Sequence, residues 1–272
     1  MSTPSIDLSK QNILVTGGAG VGVGGGICEA VAAFGGRLFV NDIREDALTE
    51  AIKKYPGAIP IPGDISQASE VERMFREINE QYGVVHGLVN SAGIGITKPM
   101  QEVEESEFDR LYGVNVRALW LMSRAFVRQL LPAKVGGAIV NVSSVHAKAA
   151  SAQYVIYAGA KAAVEGLTRA MAVELGKYNI RCNAIGPGYV HAEQNYDLLK
   201  NLADDPHQWV DTYKNEYQSI PRLIEARDCG NVAAFLLSDL SQAVTGQVMY
   251  VDQGLTSMLF TRGFTEKENT SS

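Results

Sequence analysis

Two residues in the second half of the chain could carry out a proton transfer. Tyr157 and Lys161 are four residues apart within 152–176, a segment whose pattern predicts a helix, so their side chains share one face. A phenol has a reference pKa of about 10 and is a poor base at neutral pH. A neighbouring lysine ammonium favours the phenolate and brings the pKa of Tyr157 toward the range of a general acid or base. The spacing alone is common in helices, so other residues must support this interpretation.

Two further polar residues stand at positions that call for an explanation. Ser144 follows a predicted strand, 137–142, and precedes Tyr157 by thirteen residues. The carboxyl ends of parallel strands are where ligands gather, so the Ser144 hydroxyl could hold a substrate oxygen. Asn115 lies inside a long predicted helix, 105–131, an unfavourable place for a residue that prefers helix caps.

Glycine is concentrated near the start of the chain, where seven of the ten residues from 17 to 26 are glycine. The run follows a predicted buried strand, 12–16, and precedes a predicted helix, 27–34. Glycines at such a junction let the backbone turn sharply and approach a pyrophosphate, which then lies against the free N–H groups of the helix N-terminus. A flexible surface loop has a similar composition, but the position after the first strand of a βαβ pattern favours nucleotide binding.

A carboxylate near the end of the second predicted strand could select the nucleotide. Asp42 follows the strand 37–41 and lies 18 residues after Gly24. There it can accept hydrogen bonds from ribose hydroxyls and would repel a 2′-phosphate, although Asp is equally suited to capping the next helix. Arg44 could pair with a phosphate, but the glycine loop itself contains no Lys or Arg. The sequence therefore favours NAD(H) over NADP(H), while the glycine motif alone leaves S-adenosylmethionine open.

The elements that must position these residues alternate along the chain. Apolar strands are predicted at 12–16, 37–41, 58–62, 87–90, 137–142, 180–185 and 248–251, with helical patterns between them. Nearly continuous apolar strands that alternate with helices indicate a parallel sheet covered on both faces. The predicted fold class is α/β, a doubly wound (Rossmann) parallel sheet of seven strands. Because no linker interrupts the pattern, residues 1–272 are expected to form a single domain, with a core at about 8–256, a substrate lid at about 189–220 and a flexible tail at 261–272.

Over about residues 8–256 the chain resembles the short-chain dehydrogenase/reductase family. The motifs that carry the resemblance, in the family's order, are Thr16-Gly17 through Gly24, Asp64-Ile65, Asn90-Ser91-Ala92-Gly93, Asn115, Ser144, Tyr157 and Lys161 at the catalytic tetrad positions, Pro187-Gly188, and Val251-Asp252-Gln253-Gly254. One motif differs from the family pattern at a single residue, because Ser91 takes the place of the family's second Asn. So many motifs in this order are jointly specific.

The resemblance implies an NAD(H)-dependent oxidoreductase that interconverts a secondary alcohol and a ketone by hydride transfer. Tyr157 is then expected to exchange a proton with the substrate oxygen and Ser144 to orient that oxygen. Lys161 is expected to lower the pKa of Tyr157 and hold the nicotinamide ribose, and Asn115 to bend its helix and hold a water. The implied cofactor-binding residues are Gly17, Gly22, Val23, Gly24, Asp42, Ile43, Asp64, Ile65, Asn90, Ala92, Gly93, Tyr157, Lys161, Pro187, Gly188 and Val190. Related proteins usually form tetramers through their long helices, so a homotetramer, or else a homodimer, is expected.

Two departures from the family pattern affect the cofactor site. The loop has four residues between Gly17 and Gly22 where the family has three, so either Gly20 or Gly22 contacts the phosphates. After Pro187 to Val190 the family often has a Thr that binds the nicotinamide amide, whereas this chain has His191. Backbone groups near Val190 are an alternative for that contact.

Loops at the strand ends, 94–100, 145–156 and 189–220, are expected to determine the substrate. The candidate substrate-binding residues are Ser144, His146, Tyr154, Tyr157 and His191. Their polar and aromatic character favours a hydroxylated small molecule such as a sugar, a polyol or a hydroxy acid. Trp209 and Tyr213, four residues apart, are expected to pack a lid helix onto the body of the protein.

Three other classes of protein share parts of this pattern. A 3-oxoacyl thioester reductase has the same tetrad, but it usually requires NADPH, which Asp42 disfavours, and no clear basic patch for a carrier protein is visible. A non-catalytic nucleotide-binding sensor would keep the glycines without needing Tyr157 or Lys161. A methyltransferase that uses S-adenosylmethionine has no role for this pair.

Composition excludes several partners. The chain has 272 residues, a net charge of −6 and three scattered cysteines, and its pI is about 5.3. The acidic balance argues against nucleic acid or an anionic membrane as the main partner. The cysteines show neither a disulfide framework nor metal-ligand spacing, so no metal and a reducing, cytoplasmic location are expected.

Overall fold

A parallel sheet of seven strands forms the centre of the part of the chain that this computed structural model describes, residues 5–192, 199–200 and 203–265. The strands of this described part are β1 (Asn12–Thr16), β2 (Arg37–Asp42), β3 (Ile59–Pro62), β4 (Gly87–Asn90), β5 (Gly137–Val142), β6 (Ile180–Pro187), β7 (Val190–His191), β8 (Ile224–Glu225) and β9 (Val248–Val251). The sheet has the order β3-β2-β1-β4-β5-β6-β9, and β7 and β8 form a separate parallel pair. The predicted seven-stranded, doubly wound sheet is confirmed. The predicted lid, 189–220, and tail, 261–272, lie partly outside the described residues.

Helices cover both faces of the sheet. The α-helices whose bounds lie within the described residues are α1 (Val23–Ala33), α2 (Glu45–Lys54), α3 (Ala68–Tyr82), α4 (Glu105–Tyr112), α5 (Ala118–Ala133), α6 (Val155–Leu175), α7 (Pro206–Glu216), α8 (Ala226–Leu237) and α9 (Arg262–Thr265). One core cluster joins β1 and β2 to α1, α2 and α8 through residues such as Val15 and Val40. The other joins the same strands to α3, α5 and α6 through Leu14 and Phe39. Successive residues of one strand therefore enter opposite cores, which explains why these strands are apolar throughout.

The first helix begins four residues earlier than the sequence predicts, at Val23 rather than at position 27. Glycine is a poor helix former, so the run suggested a turn and not a helix. The structure requires glycine there for space: a Cβ on Gly25 would lie 2.0 Å from the Gly20 carbonyl oxygen, and one on Gly26 would lie 2.1 Å from the Ala226 carbonyl oxygen. The glycine run therefore forms both the loop and the face on which α1 packs against α8.

The long helix predicted over 105–131 is interrupted. Between α4 and α5 the backbone forms a π-helical turn, Gly113–Arg117, with Asn115 at its centre. Helix α5 extends beyond the predicted end at 131, continues through Pro132 to Ala133 and ends where Lys134 adopts a left-handed conformation, φ 56°. Helix α6 is shorter than the predicted 152–176 and begins at Val155.

The described residues also bear on metal and membrane binding. They contain no group of three or more His, Cys, Asp or Glu side chains placed to hold a metal ion. None of their helices combines the length and apolar character needed to cross a bilayer. All three cysteines are free and buried, and burial raises the pKa of each thiol to about 12.

Candidate active site

Three of the four candidate catalytic residues meet at the carboxyl end of β5. Ser144 lies just beyond that strand, and Tyr157 and Lys161 lie on consecutive turns of α6. The Ser144 side chain lies close enough to the Tyr157 phenol to lower the pKa of that group. The Lys161 ammonium lies 5.7 Å from the centre of the Tyr157 ring and donates to the Val142 carbonyl at 2.8 Å. The arrangement places a hydroxyl, a phenol and a cation in one cluster.

Burial shifts the pKa of both groups on α6. Lys161 is 5% exposed, and the loss of hydration lowers its pKa to about 8. Burial raises the pKa of Tyr157, and the nearby Ser144 side chain only partly opposes that effect. The expected lowering of the Tyr157 pKa by Lys161 is therefore not seen in the protein by itself. Tyr157 is held as the neutral phenol, the form that donates a proton.

The Asn115 side chain is hydrogen-bonded to the loop after β4, and that loop passes beside Lys161. Its side chain accepts a hydrogen bond from the Ile94 amide and donates one to the Ile94 carbonyl, both at 2.9 Å. A Cβ on Gly93 would lie 3.3 Å from the Asn115 amide oxygen and 3.5 Å from the Lys161 Nζ atom. Asn115 and Lys161 therefore flank Gly93, and the π-helical turn at Asn115 agrees with the expected distortion of its helix. The water expected at Asn115 stays a prediction.

The loop between β1 and α1 fits a pyrophosphate. Gly22 is the N-cap of α1, and among the described residues neither a side-chain cap nor a first-turn carboxylate occupies that helix end. A Cβ on Gly22 would have no neighbour within 4 Å, and one on Gly20 would meet only the Gly22 nitrogen, at 3.9 Å. Open space beside uncapped N–H groups is what a dinucleotide phosphate requires. Of the two glycines left open by the sequence, Gly22 is the one at the helix N-terminus.

The glycine loop is fixed against the loop that follows β4. The Thr16 hydroxyl accepts hydrogen bonds from the Ser91 and Ala92 amides, both at 3.1 Å. Gly17 has a φ of 63°, and a Cβ there would lie 2.7 Å from the Ala92 Cα atom. Only glycine tolerates both the conformation and the contact, so the first glycine of the motif positions Ala92 and Gly93.

Asp42 lies where β2 ends and is 8% exposed. Its Oδ1 atom accepts hydrogen bonds from the Arg44 amide at 3.1 Å and from the Arg44 Nε atom at 3.3 Å. Since both bonds use one oxygen, the carboxylate keeps acceptor capacity for ribose hydroxyls. The Arg44 side chain is 60% exposed, so it is also placed within reach of a ligand at this strand end.

The other predicted cofactor residues lie at strand ends of the same sheet. Asp64 and Ile65 follow β3, and Asp64 accepts a hydrogen bond from the Ser66 amide at 2.9 Å. Asn90 ends β4 and donates to the Asn141 side chain at 2.9 Å. The remaining members of the set are Val23 at the start of α1, the exposed Ile43, and Pro187, Gly188 and Val190 at and beyond the end of β6.

Two of the predicted substrate residues contact the candidate acid. His146 stacks on Tyr154, with ring centres 4.2 Å apart, and both rings meet Tyr157 edge-on, at 5.8 and 6.1 Å. The His146 amide also donates to the Ser144 hydroxyl oxygen at 3.2 Å. Burial lowers the pKa of His146, so this ring is neutral at pH 7. A polar aromatic wall therefore stands beside the cluster.

The structure describes only part of the predicted lid, 189–220. His191 lies on β7, paired with Glu225 of β8, and is not part of the His146–Tyr154–Tyr157 ring cluster. On α7, Trp209 stacks on Tyr213, and the Tyr213 hydroxyl accepts a hydrogen bond from the Tyr189 amide at 3.3 Å. Both rings contact Tyr189, which lies within the predicted lid itself, so the expected packing of this helix onto the body stays a prediction. Positions 193–198 and 201–202 of the lid lie outside the described residues.

Two polar residues that the sequence did not single out lie behind the cluster and contact Ser143, the residue before Ser144, directly or through each other. Glu165 lies one turn beyond Lys161 on α6, and its carboxylate accepts hydrogen bonds from Ser143 and from Tyr250. The four-residue spacing from Lys161 is a signal that could have identified Glu165. The contact with Tyr250 spans 85 positions and has no local signal.

Known proteins resemble this chain along nearly its whole length. A family model described as enoyl-(acyl carrier protein) reductase matches residues 18–256. L-xylulose reductase of Homo sapiens is 34% identical over 249 residues, which cover 91% of this chain and 97% of that protein.

Solved structures share both the fold and part of the sequence. A protein from Agrobacterium tumefaciens, provisionally assigned as a gluconate dehydrogenase, has a TM-score of 0.86 at 31% identity and covers 93% of this chain and 99% of that one. A gluconate 5-dehydrogenase from Burkholderia cenocepacia J2315, solved with NADP and tartrate, has a TM-score of 0.83 at 27% identity and covers 93% and 98%. With the family's motifs at the strand ends of a Rossmann-like sheet, the chain belongs to the short-chain dehydrogenase/reductase family.

Proposed function

We propose that this member of an oxidoreductase family uses NAD(H) to interconvert a secondary alcohol and a ketone on a polar, hydroxylated small molecule. The observation that carries the proposal is the grouping of the Tyr157 phenol, the Ser144 side chain beside it and the buried Lys161 ammonium at the end of β5. That cluster supplies a proton donor and a hydroxyl for one oxygen atom, which is what carbonyl reduction and its reverse require. We take residues 8–256 to act as one catalytic unit.

In the proposed reaction the chain's own groups manage the substrate oxygen. The nicotinamide ring, when bound, supplies or accepts the hydride. Tyr157, a neutral phenol in the protein alone, donates its proton to the ketone oxygen, and in the reverse direction it accepts the proton of the alcohol. Ser144 hydrogen-bonds the same oxygen and stabilises the charge that develops on it. Lys161 places a positive charge beside the Tyr157 ring, which stabilises the phenolate left after proton donation.

The preference for NAD(H) over NADP(H) is supported by Asp42. A nearly buried carboxylate at the end of β2 can bind ribose hydroxyls and would repel a 2′-phosphate. Two observations favour the alternative: Arg44 lies beside Asp42, and the Burkholderia cenocepacia gluconate 5-dehydrogenase was solved with NADP. We favour NAD because Asp42 engages the Arg44 guanidinium through its Nε atom.

Replacing Asp42 with alanine is expected to reduce the ratio of kcat/KM for NAD to that for NADP by about 10- to 100-fold, since hydrogen bonds to a charged acceptor contribute about 1.5–3 kcal/mol. The variant loses the acceptor for the ribose and frees Arg44 to pair with a 2′-phosphate. The ratio is measured with both cofactors at subsaturating concentration. Asp46→Ala, an exposed aspartate in the first turn of α2, is the matched control. An unchanged ratio in Asp42→Ala would refute the role of Asp42.

The substrate class is supported by the surroundings of Tyr157. His146 and Tyr154 present ring faces and polar atoms beside it, which suits a small hydroxylated molecule better than a long acyl chain. Two of the similar proteins are named for such molecules, L-xylulose and gluconate. A 3-oxoacyl thioester reductase is the second candidate, and the matching family model shares with it only the acyl-thioester class of substrate, since an enoyl reductase acts on a carbon–carbon double bond.

A substrate panel separates these candidates. It contains polyols, ketoses, sugar acids, hydroxy acids, simple secondary alcohols and 3-oxoacyl thioesters, each with NAD(H) and NADP(H), and is followed by NADH absorbance. We expect a polyhydroxylated compound to exceed a simple secondary alcohol in kcat/KM by at least about tenfold, because each well-placed hydroxyl contributes about 1 kcal/mol or more. The highest kcat/KM on a 3-oxoacyl thioester would instead establish the alternative.

We further propose a cytoplasmic homotetramer, or else a homodimer. Three free, buried cysteines fit a reducing compartment. Exposed apolar side chains on α5 and α6 and in the C-terminal segment, among them Trp120, Val173, Leu259 and Phe264, offer surface for subunit contacts.

A further inference from the structure

A buried carboxylate extends the reactive face of α6 by one turn. Tyr157, Lys161 and Glu165 follow one another at four-residue intervals, and Glu165 is 9% exposed. Its Oε1 atom accepts hydrogen bonds from the Ser143 hydroxyl at 3.0 Å and from the Tyr250 hydroxyl at 2.8 Å. Ser143 directly precedes Ser144. Glu165 therefore holds the residue next to the candidate catalytic serine, although it does not touch the site where the reaction would occur.

Tyr250, the second partner of Glu165, is fixed on the last strand of the sheet. It lies on β9 opposite Gly186 of β6. A Cβ on Gly186 would lie 2.5 and 2.7 Å from two atoms of the Tyr250 ring, so the ring lies directly on the glycine backbone. Since only glycine leaves room for the ring there, Tyr250 is held by packing as well as by its hydroxyl.

The face of the same ring holds the other end of the serine segment. The Lys148 ammonium lies 5.0 Å from the centre of the Tyr250 ring and 3.3 Å from the Thr256 hydroxyl. Thr256 in turn donates to the Asp252 carboxylate at 2.7 Å. The segment 143–148, which includes Ser144 and His146, is therefore attached to Tyr250 at both ends: through Glu165 at Ser143 and through the cation–π contact at Lys148.

We propose that Tyr250 and Glu165 are positioning residues that fix the segment 143–148, and with it the Ser144 hydroxyl, relative to Tyr157. Their part in catalysis rests on the proposed function. A hydroxyl that must meet both Tyr157 and the substrate oxygen tolerates little displacement, since a shift of about 1 Å at a reacting group can cost about 10²-fold in rate. Loss of the Tyr250 anchor therefore acts on kcat through Ser144 and leaves cofactor binding intact.

A mutant cycle between Tyr250 and Ser144 tests the catalytic part. Tyr250→Phe removes the bond to Glu165 and keeps the ring, so we expect kcat to fall about 3- to 10-fold. Tyr250→Leu removes both the bond to Glu165 and the ring that Lys148 contacts, so we expect kcat to fall about 10- to 50-fold. In both variants KM for the cofactor is expected to stay within about threefold of the parent value. In a Ser144→Ala background, Tyr250→Leu is expected to cost no more than about twofold, because the group being positioned is already absent. A role in general stability alone would give equal losses in both backgrounds.

Amide hydrogen exchange tests the anchoring without any substrate. Within the segment, the amides of Ala147 and Lys148 donate to the carbonyls of Ser144 and Val145 at 3.0 Å, and these bonds open when the segment loosens. Exchange of a peptide covering 143–149 is expected to rise at least about fivefold in Tyr250→Leu, since loss of about 1 kcal/mol of local stability corresponds to that factor, while β1 and β4 stay unchanged. Tyr178→Leu is the control, because Lys177 lies 5.0 Å from that exposed ring in a cation–π contact away from the site.

Each outcome decides the proposal. It is overturned if kcat of Tyr250→Leu stays within about twofold of the parent, or if the losses from Tyr250→Leu and Ser144→Ala simply multiply. If Tyr250→Leu fails to fold, Tyr250→Phe is tested instead. The proposal is then overturned if both kcat and the hydrogen exchange of the segment are unchanged in Tyr250→Phe. If the parent protein oxidises or reduces no compound of the panel, the proposed function fails. Hydrogen exchange then decides the anchoring alone, and exchange that is unchanged in Tyr250→Leu overturns it.

Discussion

Replacing Tyr157 with phenylalanine is expected to lower kcat by at least about 10³-fold, since a positioned acid–base group contributes about 10²–10⁴-fold and no second group in the cluster can replace it. Ser144 has too high a pKa to act as an acid near neutral pH, and the Lys161 ammonium, which uses one proton for the Val142 carbonyl, lies 5.7 Å from the centre of the Tyr157 ring and does not occupy the place of the phenol. The phenylalanine ring keeps the packing against His146 and Tyr154, so the change removes the proton donor and little else. Steady-state kinetics with the best compound of the panel gives the loss.

Cofactor affinity separates a chemical effect from a structural one. The affinity of Tyr157→Phe for the dinucleotide, measured by quenching of protein fluorescence, is expected to stay within several-fold of the parent, because the glycine loop and Asp42 lie on other strands. Tyr178→Phe, at an exposed tyrosine on the turn after α6, is the matched control and is expected to keep full activity. A Tyr157→Phe protein that retains a tenth or more of the parent kcat would exclude Tyr157 as the acid, because the loss would fall below the usual contribution of about 10²-fold.

Local rules predicted the sheet and the proximity of three candidate catalytic residues. Because apolar strands alternate with helices along the chain, the connection rules for such units predict that the strands run parallel. Tyr157 and Lys161 share a helix face by spacing, and Ser144 reaches them because it follows a strand of the same sheet. These relations depend on periods of a few residues or on the geometry of βα units, which the sequence shows directly.

Contacts between distant segments were beyond such rules. The helical state of Gly25 and Gly26 depends on backbone atoms of Gly20 and Ala226, and the sequence shows neither distance. The bond between Glu165 and Tyr250 joins residues 85 positions apart. The pKa of Tyr157 was expected to fall because Lys161 is near in sequence, whereas the side chains packed around the phenol raise it. Desolvation depends on the full set of neighbouring atoms, which no local pattern encodes.

Replacing Lys161 with methionine is expected to reduce activity and to stabilise the fold. The ammonium is buried, and its hydrogen bond to the Val142 carbonyl only partly offsets the lost hydration. A pKa lowered from 10.5 to about 8 corresponds to a cost on the order of 3 kcal/mol for keeping the charged form folded at pH 7. Methionine has a similar length and no charge, so it removes that cost. The Val142 carbonyl is then left without a donor, which lowers the free energy of unfolding by about 1–2 kcal/mol. We expect kcat/KM to fall at least about 10²-fold and Tm to rise by about 2–6 °C.

The pH dependence of the expected rise in Tm of Lys161→Met distinguishes the removal of a buried charge from better packing. Between pH 8 and pH 10.5 the unfolded chain holds the Lys161 proton and the folded chain has released it, so in the parent protein this group makes stability rise with pH. Below pH 8 both states are protonated and the cost of burying the charge is present in full. The advantage of Lys161→Met in thermal unfolding is therefore expected to be largest at pH 7 and to disappear near pH 10. Lys54→Met, at an exposed lysine in the last turn of α2, should change Tm little at either pH. A Tm advantage of Lys161→Met that is equal at pH 7 and pH 10 would assign the gain to packing, and a lower Tm at pH 7 would show that the buried ammonium stabilises the fold.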